Sequence, residues 1–546
     1  MTGLHEWTQQ GLPLFIEYRG RYVLPVVAIA LVGLYYLLWG ERLSGLLEPK
    51  LTRIGRRVAL VLLAAVALLS VGVYNNFFNF HYGGYVNAYE FFHYYMGSKY
   101  SKELGYFNIY GAALLADVET GRAYWPDDDE INDLSTHRFR SVDVVFDDQP
   151  RYRSPFSAER WREWVADVAF FKESLGSAAW SRALRDKGYN ATPVWTMVVG
   201  GGLSSRIPTD SEAGMMFLAL LDALLLGAAV AGVVWAFGWW PGLLMVVLLA
   251  SSYLMAHVHM KGAFLRTDFV VCLVLAVCML KKGRFAVAGA LVGYSTLSRV
   301  FPAVFLFGPA ALLVWELVPA ARAGAMRDVW KRLVSSRHLR FFGGFAAAVA
   351  ILATASIVYA GGAAIWSDFA RKMSLHRGHY HMWNVGLPSV VIAEFEPPES
   401  AGVGELRAPT GTVFYRKESH EERSGVILAI QVVALVACFF AVRRLCVHRA
   451  LAFGFVPTFF SIDPTYYYYI ILLLPFLFLV EKSKRATGAL GVVYLFFFGL
   501  AGHWLYERWD QYFPTYYWNS VLAMFLALYV LGLAFAESRR RSLTDA

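Results

Sequence analysis

Glu90 and His93 are the first residues in the chain whose types and spacing could support catalysis. They lie three positions apart in the aromatic segment Tyr85–Tyr100, which also contains Lys99. If this segment forms a helix, residues three apart share one face. A carboxylate held on such a face can act as a general base that takes a proton from a reacting hydroxyl. The alternative is an amphipathic helix at a membrane surface, whose charges are simply solvated.

A second group of ionisable residues follows near position 260, where polar residues interrupt the apolar blocks. It consists of His257, His259, Lys261, Arg266 and Asp268, and Arg299 lies at the end of a later apolar block. Ionisable groups at membrane depth are costly, so they are usually paired or functional. The structural alternatives are a local ion pair between Arg266 and Asp268, imidazoles satisfied in the core, and an Arg299 side chain that reaches the lipid headgroups.

The segment Trp366–Pro388 is dense in basic and imidazole side chains. It contains Asp368, Arg371, Lys372, His376, Arg377, His379, His381 and Asn384. Arginine binds phosphate oxygens through paired hydrogen bonds, so the segment favours phosphate binding. His379 and His381 could bind a metal, but two histidines with one residue between them are weak evidence for that. A solvated loop is the structural alternative.

A polar turn near the end of the chain adds a further candidate. Asp463, Pro464 and Thr465 precede four consecutive tyrosines, of which Tyr466 is the first. Tyrosines in such a position most often form the aromatic belt at a membrane interface. Besides Glu90, Asp268 and Asp463 are carboxylates that could serve as the general base.

The elements that must position these residues are long apolar segments. Of the 546 residues, 57% are hydrophobic and 17% charged, whereas soluble domains carry about a quarter charged residues. The apolar residues form blocks of about twenty, the length of a helix that crosses a bilayer. Backbone in a bilayer must satisfy its own hydrogen bonds, so the blocks predict an all-α polytopic membrane protein. About thirteen transmembrane helices are predicted, at residues 22–40, 58–77, 213–236, 239–258, 268–280, 285–301, 302–318, 341–360, 425–442, 450–462, 466–480, 487–504 and 518–536.

Short clusters of lysine and arginine between the apolar blocks predict the orientation of the chain. They follow the first, fifth, seventh, ninth, eleventh and last blocks. All of them fall on the cytoplasmic side, as basic loops do, if the N-terminus is outside and the C-terminus is cytoplasmic. The two long outer segments are then 78–212 and 361–424, and every candidate functional residue lies on the outer face.

The same composition disfavours several classes of protein. The net charge of +9 comes from these clusters, and no basic face on a folded domain indicates nucleic-acid binding. The four cysteines include no Cys-x-x-Cys pair, which disfavours a disulfide framework or a zinc site. The acidic run Asp127–Glu130 could bind a divalent cation, although a solvated loop is more typical. Few glycine motifs and no obvious helix-pairing face are visible, so a monomer is expected.

The order of these features resembles the GT-C superfamily of polyprenyl-phosphate-sugar-dependent glycosyltransferases, and most closely its bacterial mannosyltransferase-like branch. In that family an acidic residue in the first outer loop is followed by aromatic residues and Gly-x-x-Tyr, as here in Glu90, Tyr94, Tyr95, Gly97 and Tyr100. Later features that resemble the family are Gly262–Asp268, Lys281–Arg284, Ala288–Gly289, Arg299 with Pro302, Asn384–Pro388, and Asp463–Tyr469 with Pro475. Glu90 stands where the family usually has aspartate, and Arg299 where the related branch often has lysine.

The resemblance implies a GT-C-like transmembrane module at residues 58–480, preceded by an extra span and cytoplasmic loop at 1–57 and followed by spans and a basic tail at 481–546. It implies a glycosyltransferase of the bacterial inner membrane that moves a sugar from a polyprenyl-phosphate donor to a lipid or glycan acceptor. Glu90 would be the catalytic base. The residues expected to bind the substrate or its phosphate are His93, Lys99, His259, Arg266, Asp268, Arg299, Arg377, His379, Asn384, Asp463 and Tyr466. No metal is required, because the donor phosphate already carries the leaving charge.

Two other functions are compatible with the sequence. One is a transporter or flippase of a lipid-linked or polysaccharide precursor, which would need polar residues in the cytoplasmic half as well. The other is a structural or assembly protein of the envelope, which would tolerate loss of both Glu90 and Arg299. The inverted repeats typical of many transporters are not visible, and the clustering of candidate residues on one side favours the enzyme.

Overall fold

The long apolar segments fold as helices. The structure is a computed structural model, and it describes residues 12–41, 43–46, 48–75, 77, 86–121, 129–255, 260–377, 381–395, 413–414 and 418–544. Helices make up 79% of it, which agrees with the predicted all-α membrane class. Among the described residues, eight helices are long and apolar enough to cross a membrane: Arg19–Trp39, Pro49–Tyr74, Glu212–Phe237, Phe301–Pro319, Arg337–Ala360, Ser424–Arg444, Ala486–Trp509 and Phe513–Arg539.

The other five predicted spans are shorter or interrupted. Three are single helices of 13 to 15 residues, and two are divided in the middle. In chain order they are Trp239–Ser251, Asp268–Lys281, Phe285–Arg299, the pair Val447–Ala452 and Phe455–Ser461, and the pair Tyr466–Leu472 and Leu473–Val480. Since about twenty helical residues are needed to cross a bilayer in one straight element, the count of about thirteen spans stays a prediction.

Residues 86–121 and 129–211, which we call the loop domain, share a hydrophobic core of their own. Four tryptophans, Trp161, Trp164, Trp180 and Trp195, are buried in it. Its helices are Ala88–Phe91, the π-helical Phe92–Met96, Gly97–Lys99, Ser101–Leu104, Ile109–Glu119, Asp143–Asp147, Gln149–Arg153, Ala158–Leu184, Pro193–Thr196 and the π-helical Met197–Ser204. Strands Glu130–Asp133 and Arg138–Ser141 pair antiparallel, which is a small departure from the all-α prediction.

Short helices connect the long ones. They are Ser44–Leu46, Met326–Ser335, Ala364–Arg377, Leu387–Val391 and Ser419–Glu422. Two of the spans also continue beyond their apolar parts, since the first long helix begins at Leu12 and the last ends at Thr544. The helix Ala364–Arg377 belongs to the predicted outer segment 361–424, and its Phe369 packs into the core of the loop domain.

The helices Phe285–Arg299 and Arg337–Ala360 approach each other through glycines. A Cβ atom at Gly289 would lie 1.8 Å from the carbonyl oxygen of Phe341, and one at Gly344 would lie 2.1 Å from that of Ala286. Small residues allow helix backbones to pack closely in membranes. This pairing lies within one chain, so the expectation of a monomer stays a prediction.

Residues of several predicted cytoplasmic loops form a network of ion pairs at one end of the bundle. Arg485 pairs with Glu41 at 2.9 Å, and His448 lies 2.9 Å from Glu481. The other pairs of this ion-pair network are Lys281 with Glu481, and Arg449 and Lys482 with Glu537.

The ion-pair network and the candidate functional residues lie at opposite ends of the bundle. The helix Asp268–Lys281 begins at a candidate residue and ends in the network, and its 14 residues correspond to about 20 Å. This separation is what the predicted orientation requires. Which end faces the cytoplasm stays a prediction.

Candidate functional site

Glu90 and Arg266, which are far apart in the sequence, form an ion pair. Glu90 Oε2 lies 3.4 Å from Arg266 Nε, and the arginine side chain is only 2% exposed against 20% for the glutamate. The carboxylate can therefore be reached by a substrate, whereas the guanidinium forms the floor beneath it. The structure thus brings together two residues that the sequence predicted for one site.

The helix that carries Glu90 is tied to the loop that carries Arg266. The side chain of Asn87 accepts a hydrogen bond from the Glu90 backbone N–H at 3.3 Å, which caps the helix. The Asn87 backbone N–H donates to the carbonyl oxygen of Gly262 at 2.9 Å. Two residues after Glu90 the chain becomes π-helical over Phe92–Met96, and such bulges are frequent at functional sites.

Asp222 holds the backbone on which Arg266 is mounted. It lies within the apolar helix Glu212–Phe237 and is 5% exposed. Its carboxylate accepts hydrogen bonds from the backbone N–H groups of Arg266 and Thr267, each at 2.8 Å, and from the Thr267 hydroxyl at 2.6 Å. Sequence reasoning missed Asp222. The signal was a carboxylate in the interior of an apolar span, which is functional by default.

Aromatic rings cover the guanidinium of Arg266. Its central carbon lies 4.1 Å from the ring centroid of Tyr94 and 5.6 Å from that of Tyr467. Tyr94 in turn donates a hydrogen bond to Asn190 at 2.6 Å. Such stacking stabilises a buried cation while leaving the edge of its guanidinium plane available to bind.

Arg299 is attached to the same loop. Its Nη2 donates to the carbonyl oxygen of Leu265, the residue before Arg266, at 3.3 Å, and its guanidinium lies 5.4 Å from the ring centroid of Trp195. The helix ends at once, because Val300 has a φ of +60°. This conformation is unfavourable for a β-branched residue, and such strain tends to collect at functional sites.

Several buried polar atoms of these residues have no hydrogen-bond partner. They are Arg266 Nη1 and Arg299 Nε, together with Arg266 Nε and Glu90 Oε2, which meet each other only in the 3.4 Å ion pair. Buried donors are nearly always satisfied in proteins, so a concentration of unsatisfied guanidinium N–H groups needs a reason. An anionic ligand bound between the two arginines would supply it.

Asp268 binds hydroxyl groups of a neighbouring helix, whereas the sequence offered an ion pair with Arg266 as one alternative. Its Oδ2 accepts hydrogen bonds from the Tyr294 hydroxyl at 2.8 Å and the Ser298 hydroxyl at 2.7 Å. Asp268 therefore joins the start of its own helix to the helix that ends in Arg299.

Asn384, Asp463 and Tyr466 meet beside this site. Asn384 Nδ2 donates to Asp463 Oδ2 at 3.2 Å, and the Tyr466 backbone N–H donates to the carbonyl oxygen of Trp383 at 3.0 Å. Burial raises the pKa of Asp463, and the hydrogen bond from Asn384 opposes that rise. The turn that begins at Asp463 also carries Tyr467, whose ring faces Arg266, so the three residues support the wall of the site.

His93 and Lys99 are placed in the core of the loop domain. His93 Nε2 lies 2.8 Å from the Tyr110 hydroxyl, and Nδ1 lies 2.8 Å from the carbonyl oxygen of Tyr89. Lys99 is buried against two carboxylates, Asp167 at 2.7 Å and Glu163 at 2.8 Å. Both residues already have polar partners there, and the structure does not bring them to the arginines.

Some predicted residues cannot be assigned to the site. His259, His379 and Asp127–Asp128 lie outside the described residues, as does the side chain of Arg377. Within the described part of the chain, no group of three or more potential metal-binding side chains occurs.

Comparison with known proteins leaves the candidate site to be judged on its geometry. No protein-family model, no curated protein and no solved structure matches the chain. The geometry combines one accessible carboxylate with one buried and one partly buried guanidinium group, each of which has an N–H group without a hydrogen-bond partner among the described residues. That combination suits proton removal from one reactant and stabilisation of negative charge on another.

Proposed function

We propose that this protein is an integral membrane glycosyltransferase that moves a sugar from a polyprenyl-phosphate donor to a hydroxyl of a lipid or glycan acceptor. The observation that carries the proposal is the Glu90–Arg266 pair at 3.4 Å, with Arg299 held on the same loop and unsatisfied donors on both arginines. The resemblance of the motif order to GT-C enzymes supports the same reaction.

The proposed reaction is a displacement at the anomeric carbon of the donor. Glu90 takes the proton of the acceptor hydroxyl, and the hydroxyl oxygen forms a bond to the anomeric carbon. The bond between that carbon and the phosphate oxygen breaks, and its electron pair leaves with the polyprenyl phosphate. Arg266 and Arg299 stabilise the departing phosphate through Arg266 Nη1 and Arg299 Nε, which have no hydrogen-bond partner in the part of the chain that the structure describes.

The proposed location of this chemistry is the outer face of a bacterial inner membrane, with the N-terminus outside and the C-terminus in the cytoplasm. Several of the basic loops meet in the ion-pair network about 20 Å from Asp268, which supports this orientation under the positive-inside rule. A lipid donor explains why the site is built at the end of a membrane-embedded bundle.

The test is transfer of radiolabelled sugar from a panel of polyprenyl-phosphate donors by membranes that contain the full chain. Glu90→Gln and Arg299→Ala should each slow transfer by about a hundredfold or more, because each removes one catalytic contribution. Glu173→Gln is the matched control, since Glu173 is an exposed glutamate of the loop domain. Transfer by Glu90→Gln at the rate of the control would refute Glu90 as the base, and wild-type membranes that move the intact lipid-linked sugar without cleaving it would favour a flippase.

A further inference from the structure

A second cluster of basic groups lies where the helix Ala364–Arg377 packs on the loop domain. Lys372 Nζ lies 3.3 Å from His137 Nε2, and the ring of His137 lies 4.8 Å from that of His376, centroid to centroid. Lys187 Nζ contacts the ring of His381. Two ammonium groups and three imidazoles from four parts of the chain therefore meet in one place.

Lys372 is the most unusual member of this basic cluster. The whole residue is 0% exposed, yet the partners of its Nζ are an imidazole and the carbonyl oxygen of Leu134 at 3.4 Å. Neither partner carries a negative charge. Burying an ammonium group without an anionic partner is strongly unfavourable. Among the described residues, Lys372 has no negatively charged group within hydrogen-bonding distance to form an ion pair with.

The carboxylates nearest to the basic cluster are committed to other partners. Asp186 accepts hydrogen bonds from the Tyr89 hydroxyl at 3.0 Å and from the Lys187 backbone N–H at 2.7 Å. Asp133 accepts hydrogen bonds from the backbone and hydroxyl of Ser135 at 2.9 and 2.7 Å, and lies 3.7 Å from Arg140.

We propose that Lys187, Lys372 and the three imidazoles form a second binding site on this protein, specific for a phosphate group. Lysine is a common ligand of phosphate as a point charge, and an anion is the partner that the buried Lys372 ammonium group lacks within the described part of the chain. A metal ion fits poorly, because it would lie against an ammonium group. This binding site does not depend on the transfer reaction proposed above.

The protonation of the basic cluster makes phosphate binding depend on pH. Burial lowers the pKa of Lys372 to about 7, with Asp186 opposing and Lys187 reinforcing the shift. Burial also lowers the pKa of His376 to about 2, reinforced by the nearby cations. A bound phosphate favours the charged form of Lys372, so the contribution of Lys372 to binding weakens as the pH rises through about 7.

The phosphate site adjoins the first site but is separate from it. Between them runs the segment 186–190, in which Asp186 binds Tyr89, the neighbour of Glu90, and Asn190 binds Tyr94. The phosphate group belongs either to a lipid headgroup or to a soluble molecule. In both cases the same phosphate oxygens would contact the basic cluster.

The test is binding of radiolabelled inorganic phosphate to the full chain in nanodiscs of neutral lipid, at about pH 6 and about pH 8.5. We expect saturable binding at the lower pH that weakens about tenfold or more at the higher pH. Lys372→Met should weaken binding about tenfold or more, because it removes a charged contact. Lys102→Met is the control, since Lys102 is an exposed lysine of the same domain.

A second variant and a second lipid complete the experiment. Lys187→Met should reproduce the loss, which keeps the test valid if Lys372→Met does not fold. Nanodiscs that contain phosphatidylglycerol should reduce binding of free phosphate if the natural source is a lipid headgroup, and should leave it unchanged if the source is soluble.

Binding that is equal in wild type and in both folded variants, or no saturable binding up to about 10 mM phosphate, would overturn the proposal. Tight zinc binding that displaces phosphate would overturn it as well.

Discussion

Arg266 connects most of the groups in the candidate site. Its side chain meets the Glu90 carboxylate and the ring of Tyr94, and its backbone is bound by Asp222. Because both the side chain and the backbone of Arg266 are held in place, its guanidinium needs little reorganisation when a charged ligand binds. Such preorganisation is the condition for strong electrostatic stabilisation. Asp222 is thus a positioning residue, since it acts on the ligand through Arg266.

Asp222→Asn tests this positioning role. The amide would present N–H groups to the backbone N–H donors of Arg266 and Thr267, so at least one of the bonds now 2.6 to 2.8 Å long should be lost. Loss of a hydrogen bond to a charged group costs about 1.5 to 3 kcal/mol. We therefore expect the KM for the lipid donor to rise about tenfold or more, with a smaller change in the KM for the acceptor.

A control variant at another aspartate tests whether the effect is specific to Asp222. Asp210→Asn, at an exposed aspartate just before the same helix, should leave both KM values unchanged. Equal changes in the two KM values for Asp222→Asn would indicate general loosening of the fold. They would contradict a role in placing Arg266.

At the scale of elements, the candidate residues are carried by helix ends and short loops. Glu90 follows a cap, Arg299 ends a helix, and Arg266 precedes the helix that begins at Asp268. Helix ends leave backbone groups unpaired and can change direction sharply, so they can gather side chains from distant parts of the chain. The position of Arg299 in particular depends on how its helix packs on Arg337–Ala360.

Gly344→Ala tests this helix packing. A Cβ atom at Gly344 would lie 2.1 Å from the Ala286 carbonyl oxygen, so the two helices must separate. Overpacking of this kind costs about 1 to 3 kcal/mol. We expect a lower midpoint of thermal unfolding in detergent and slower sugar transfer, because Arg299 lies on the displaced helix.

The neighbouring residue provides the control for this packing experiment. A Cβ atom at Gly343 would have nothing within 4 Å, so Gly343→Ala should leave the midpoint nearly unchanged or raise it slightly. If the two variants unfold at the same temperature, close approach at Gly344 does not contribute to stability.

At the scale of the whole molecule, the chain has a charged network at one end and the candidate site at the other. In the ion-pair network, burial opposes protonation of His448, but Cys446 and Glu481 raise its pKa to about 9. Burial likewise disfavours the Glu481 carboxylate, but His448 and Lys281 lower its pKa to about 2. The two pKa shifts together contribute most to the stability of the folded state at a pH between 4.5, the ordinary pKa of Glu481, and 6.5, the ordinary pKa of His448.

The pH dependence of unfolding tests the ion-pair network. The contribution of His448 is complete below its ordinary pKa of 6.5 and is lost as the pH rises through about 9. The difference in thermal midpoint between wild type and His448→Gln should therefore be largest near pH 6 and shrink toward pH 9. A difference that stays constant over this range would show that the charge of His448 does not contribute.

Apolar segments and basic loops are properties that the sequence by itself determined. An apolar block of about twenty residues has few alternatives to a membrane helix, and eight of the predicted spans are helices of that kind. Glu90, Arg266 and Arg299 could also be selected as candidate residues from the sequence, because charges next to apolar segments are costly. Short or divided helices such as Val447–Ala452 could not be delimited, since their breaks depend on packing.

Only the tertiary structure decided which polar residues share a site. His93 and Glu90 are three positions apart, yet one contacts Tyr110 and the other Arg266. Asp222 becomes important because the loop at Arg266 folds back onto its helix, and Lys372 because a distant hairpin places His137 beside it. Such contacts join residues far apart in the chain. They arise from the packing of loops on helices, which local spacing does not encode.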